Sequence, residues 1–184
     1  MRMATLTQVG QRDARGDGML YRTMRFRAEE GEEENVVRLT ASSDIPVQRW
    51  GDVEILVHDE GAVRLERLRT LGAMLVDHDP TKRAGPILSA DVRDGKLHLT
   101  MRFGTSRAAQ EYMKEVTDGT LRGVSVGYLV HTWEVDEDAG EFRAVDWEPY
   151  EASFTAIPVD DSVGVGRSVV QSVDQAKDAW HRSI

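Results

Sequence analysis

Short apolar runs, each closed off by turn residues, follow one another along almost the whole chain, and only one stretch breaks this rhythm with a sustained helical period. Strand-like runs lie around Tyr21, Met24 and Phe26, and then at 36–39, 53–57, 73–76, 87–92, 97–103, 121–132, 142–147 and 150–157. β-Branched and aromatic residues bounded by Gly, Pro, Asn and Asp favour extended backbone. Asp94-Gly95, between two such runs, is the chemistry of a two-residue hairpin turn. The helical exception spans about 106–117, where Ala108, Ala109, Tyr112, Met113 and Val116 share a face, Thr105 or Ser106 serves as N-cap and Gly119 follows the end. A second stripe, Val63, Leu65, Leu68 and Leu71, is irregular enough for one or two turns only. The expected fold is a β-rich α+β domain: a mostly antiparallel, partly closed β-barrel with one main helix and one or two short ones.

A length of 184 residues suits one domain. Residues 1–18 have no sustained period and read as a disordered lead-in, 19–162 as the folded domain, and 163–184 as a loose tail. The acidic run from Glu29 to Glu34 reads as a solvated turn rather than a cation site. Pro80 is expected to end the strand at 73–76. With no cysteine, disulfides, thiolate metal sites and a cysteine nucleophile are excluded, so a covalent mechanism must use Ser, Thr, Lys or a carboxylate. A net charge of -9 argues against a protein that grips phosphate backbones, so no nucleic-acid partner is expected. No apolar stretch reaches 18 residues, and neither a membrane span nor a secretory signal is expected.

Three residues in separate runs supply a nucleophile, a base and a carboxylate. Ser125 lies in Gly-Val-Ser-Val-Gly, the five-residue pattern of the hydrolase nucleophile elbow. That elbow needs a helix after its serine, whereas Tyr128-Leu129-Val130 continues the strand, and this excludes the elbow hydrolases. Flanking glycines still let a peptide backbone approach Ser125 closely. The bland alternative is a small residue at a crowded strand–helix contact.

Among five histidines, His78 is the best placed base, delivered to the edge of the core by 73–76; a turn histidine tied to Asp77 or Asp79 is the bland alternative. His58 is the runner-up, and His58 with His78 and the aspartates would make a divalent metal site, a third reading. His98 alternates with Leu97 and Leu99 and points to solvent, His181 lies in the tail, and His131 is about 20 Å of strand away from Ser125. Glu151 opens an apolar strand and needs a partner there, which a protonated histidine would supply. Glu148, Asp77 and Asp79 compete with it for that role.

Taken together these segments resemble the caudovirus prohead serine proteases, the maturation proteases of tailed bacteriophages. The resemblance covers about 39–167 and rests on an ordered succession of blocks. These are Ser43-Asp44-Ile45-Pro46-Val47-Gln48-Arg49, Glu54-Ile55-Leu56, Leu75-Val76-Asp77-His78-Asp79, Arg102-Phe103-Gly104, Asp118-Gly119-Thr120-Leu121, Val124-Ser125-Val126-Gly127-Tyr128 and Trp147-Glu148-Pro149-Tyr150-Glu151-Ala152-Ser153. It implies an assemblin-like fold and a Ser-His-Glu triad with Ser125 as nucleophile, His78 as general base and Glu151 as the acid. This chain has Glu-Ala-Ser where the family more often has Glu-Val-Ser. Amides near Gly166 and Arg167 are the oxyanion hole that distant relatives suggest.

The resemblance further implies a serine endopeptidase that cleaves the scaffold, or the scaffolding segment of the major capsid protein, and itself. Its location would be the cytoplasm of the bacterial host, inside the assembling prohead. No cofactor and no metal are implied, a homodimer is compatible with the distant relatives, and the chain fits a piece of a protease–capsid fusion. The competing reading is a non-catalytic capsid-assembly module that keeps the protease fold, suggested by the acidic composition and the long polar ends.

Overall fold

The computed structural model describes residues 3–7, 20–25, 29–30, 35–49 and 52–156. Among them, eleven strands form one curled sheet and two helices pack against it. In chain order the strands are β1 Met3–Thr7, β2 Leu20–Arg25, β3 Glu29–Glu30, β4 Val36–Ser43, β5 Val47–Arg49, β6 Asp52–Leu56, β7 Ala73–Val76, β8 Asp79–Arg93, β9 Lys96–Arg102, β10 Gly123–Asp136 and β11 Glu141–Thr155; the helices are α1 Glu66–Leu71 and α2 Arg107–Thr117.

The hairpin at Asp94-Gly95 forms as expected, with both residues at positive φ between β8 and β9. The main helix starts where expected: Ser106 Oγ accepts the Ala109 N–H, satisfying one of the orphan donors of the first turn. Its buried face carries Ala109 and Val116, with Tyr112 and Met113 packed against the core.

Several elements depart from the sequence expectation. The expected gap between the runs 142–147 and 150–157 does not form: β11 runs unbroken through Pro149, because the register with β10 slips between Gly127↔Glu151 and Tyr128↔Pro149 and leaves Tyr150 as an extra, bulged residue. A bulge tolerates the donor that proline lacks. Pro80 does not end β7 either; the strand ends in a turn at Asp77-His78, and Pro80 lies inside β8. The acidic run begins inside β3, which pairs with β4, and β1 lies within the stretch read as a lead-in and pairs with β10. Phe26, Gly166, Arg167, His181 and the tail 163–184 lie outside the described residues.

β10 and β11 are the spine. One edge of β10 takes β1 along its far half and β2 along its near half, both antiparallel. The outer edge of β11 is covered piece by piece by β6 at 141–144, a bridge from Val63 to Trp147 and β7 at 152–154, all parallel. The sheet continues through β7-β8-β9-β4-β3 and curls into a half-barrel. The curl brings β2 back to the end of β4, where the buried Arg22 guanidinium donates to the carbonyls of Ser43, Ile45 and Glu54. Val124, Val126, Tyr128, Trp147, Ala152 and Phe154 fill the core face of the spine, leaving Ser125, Gly127, Glu151 and Ser153 on the other face.

Candidate active site

That second face gathers the three sequence-predicted residues. Cross-strand partners share a face, so the pairs Ser125↔Ser153 and Gly127↔Glu151 put a serine pair and a carboxylate side by side, with Tyr21 of β2 opposite Gly127. His78 enters from the β7–β8 turn. Asp77 and His78 are both left-handed, with φ of 54° and 56°, and Val76 pairs with Asp79, the pattern of a two-residue I′ hairpin. Asp tolerates this region well, and His is enriched there too.

β11 holds the turn at three points. Asp77 N–H donates to Phe154 O at 2.9 Å, His78 N–H to Ser153 Oγ at 2.8 Å, and His78 Nδ1 lies 2.5 Å from Glu151 Oε1. Tyr21 packs edge-on against the imidazole, with 4.4 Å between ring centroids. The pair is partly shielded, the His78 side chain being 9% exposed and that of Glu151 17%.

Of the four carboxylates that compete for His78, three turn elsewhere. Glu148 faces His131 at 3.6 Å, Asp77 faces Lys82 at 3.6 Å, and Asp79 accepts from the Thr81 N–H and hydroxyl. Those two bonds hold the Asp79 carboxyl below the usual aspartate range. Glu151 alone lies against Nδ1 of the imidazole. Ser125 is fully buried, and its Oγ has no hydrogen-bond partner among the described residues. The bond that would complete the set, from Ser125 Oγ to His78, is therefore not formed in this conformation.

Sequence reading gave Ser153 no role and read Gly127 only as room for a substrate backbone. Gly127 provides the room: a Cβ there would lie 2.5 Å from Glu151 Oε1 and 3.1 Å from Tyr21 Cε1. Ser153 holds the turn, and its signal was its place two residues after Glu151 on the same strand face.

A second serine–histidine pair lies elsewhere. Ser42 Oγ and His58 Nε2 are 2.7 Å apart, and His58 Nδ1 is 2.8 Å from Leu56 O, so Nδ1–H donates to that carbonyl and Nε2 accepts from the serine. Both residues are buried, at 1% and 6% exposure, beneath the edge of the Trp147 ring. Burial lowers the proton affinity of His58 below the ordinary 6.5; the Leu56 carbonyl works against this and Arg22 adds to it. Among the described residues no group of three or more His, Asp or Glu side chains is arranged to hold a metal ion; His58 and His78 are engaged with separate partners. His98 is half-buried with Nδ1 3.4 Å from Thr40 Oγ1, rather than directed fully to solvent. No described helix is long and apolar enough to cross a membrane.

No protein-family model matches the chain. The major capsid protein of Halomonas phage phiHAP-1 is 34% identical over 141 residues, which make up 73% of this chain and 23% of that protein. The chain thus spans about a quarter of the length of the curated relative it matches. Among solved structures, the bacteriophage T4 capsid assembly protease, gp21, superposes with a TM-score of 0.46 at 10% identity, covering 76% of this chain and 98% of that one. The chain is similar in sequence to part of a phage capsid protein.

Proposed function

We propose that this chain is a serine endopeptidase of phage capsid maturation, with Ser125 as nucleophile, His78 as general base and Glu151 as the carboxylate that orients it. The observation that carries this reading is the 2.5 Å contact between His78 Nδ1 and Glu151 Oε1, beside a strand face that holds Ser125. His78 Nε2 takes the Ser125 hydroxyl proton as Oγ adds to the scissile carbonyl. The C–N bond then breaks as that proton passes to the leaving amine, and water hydrolyses the acyl-enzyme by the same route in reverse roles. The Glu151 carboxylate fixes the tautomer and stabilises the imidazolium that forms in between. The likeness to part of a phage major capsid protein supports a capsid substrate: the capsid protein's scaffolding segment or the scaffold, together with the chain itself.

Ser42–His58 is the weaker alternative centre. Both serines are buried, so exposure does not separate them. The partner of Nδ1 does: a carboxylate offsets imidazolium charge, whereas His58 has a neutral carbonyl, is desolvated and feels Arg22. A reading without catalysis, as a capsid-assembly module, draws on the burial of Ser125 and on the likeness to part of a major capsid protein.

Incubating the chain with its cognate capsid and scaffold proteins and following the products by mass spectrometry tests these readings together. Ser125→Ala is expected to abolish cleavage and Ser42→Ala to retain it. Cleavage by Ser125→Ala at the wild-type rate rejects the assignment, and its loss only in Ser42→Ala moves the centre to His58.

A further inference from the structure

Two consecutive residues without the freedom of glycine stand at positive φ in the turn that carries the proposed base. I′ turns favour Asn-Gly, and an Asp-His turn needs ties from outside to hold a single geometry. Within such a turn the N–H of the second central residue has no partner in the hairpin itself. Here that donor belongs to His78, and it is satisfied by the hydroxyl of Ser153, a fully buried residue on the neighbouring parallel strand. Ser153 also sits directly opposite Ser125 and two residues from Glu151, so one strand fixes the backbone of the histidine, its carboxylate partner and the register of the nucleophile. The backbone tie from Asp77 N–H to Phe154 O engages the first turn residue, and the Val76–Asp79 pair closes the turn, but neither engages the His78 N–H.

We propose that Ser153 is a positioning residue for the reaction: its Oγ, by accepting the His78 N–H, sets the angle at which the imidazole leaves the turn and brings Nδ1 onto Glu151. This rests on the reading of His78 as the general base. Removing the acceptor leaves a donor with no partner at a left-handed residue, and the turn relaxes toward geometries that carry the ring away from β11.

The test uses the full chain and two readouts. One is the low-field proton resonance of His78 Nδ1–H, identified by its absence in His78→Gln, which reports the imidazole–carboxylate contact whether or not Ser125 reacts. The other is the rate at which a fluorophosphonate labels Ser125. Ser153→Ala is expected to lose the resonance and to slow labelling about tenfold or more, and Ser153→Thr, which keeps the hydroxyl, to restore both. A resonance and labelling rate unchanged in Ser153→Ala overturn the inference. Where the alanine variant does not fold, Ser153→Cys, similar in size and a weaker acceptor, takes its place, and an unaltered resonance in it overturns the inference equally. If wild type and His78→Gln label alike, the endopeptidase reading fails, while the resonance still decides whether Ser153 sets the ring.

Discussion

Glu151 reaches His78 across the space left by a missing side chain. At Gly127 a methyl group would fall 2.5 Å from the carboxylate oxygen that contacts Nδ1, well inside van der Waals contact. Gly127→Ala is therefore expected to push the carboxylate aside and, on the proposed reading, to lower the cleavage rate about a hundredfold, with the helix and strand content unchanged by circular dichroism; a wild-type rate would show that Glu151 has room to spare. Glu151→Gln separates charge from shape: it keeps the size of the side chain and removes the charge that supports an imidazolium. On the proposed endopeptidase reading, the rate of capsid-protein cleavage is expected to fall by about 10³ to 10⁴ at neutral pH. Ser125 and His78 were legible as a serine and a histidine in separate β-like runs. Which carboxylate meets His78 was not, since Asp77 and Asp79 flank the histidine in sequence, Glu148 and Glu151 lie in a separate block, and only side-chain direction separates them.

At the level of elements, local chemistry specifies what it touches directly. Ser106 begins α2, and Asp94-Gly95 joins β8 to β9, because a cap and a tight turn are each decided by a few neighbouring residues. Ser106→Ala should cost about 1 kcal/mol, read as a lower urea midpoint with an unchanged slope. Elements that depend on a distant partner were misread. The runs 142–147 and 150–157 looked like two strands, yet the bulge at Tyr150 lets β11 pass through Pro149, and Arg67 covers the exposed Tyr150 ring at 3.6 Å. Pro80 looked like the end of β7, yet the end is the left-handed pair Asp77-His78, whose geometry is held by β11.

For the molecule as a whole, the buried polar layer where β2, β4 and β6 meet is expected to make stability depend on pH. Burial holds the proton affinity of His58 below 6.5, and burial first, then Arg93, does the same to His98. The unfolded chain then binds more protons than the folded one as pH falls through 6.5, so acid favours unfolding and stability rises with pH across that window. His58→Gln should flatten the dependence of the urea midpoint on pH below 6.5; an undiminished slope would assign the effect to other groups.

Sequence alone determined that this is a β-rich chain with one substantial helix, since periods of two and of 3.6 residues and the chemistry of caps and turns are local properties. It also supplied the serine, histidine and carboxylates on which the proposed acyl transfer rests. Only the tertiary structure decided that β6 and β7 lie parallel along the edge of β11, because parallel pairing joins segments far apart in the chain and leaves no turn signature between them. That pairing places His78 over Ser153 and Glu151, and so turns three separate blocks of sequence into one face.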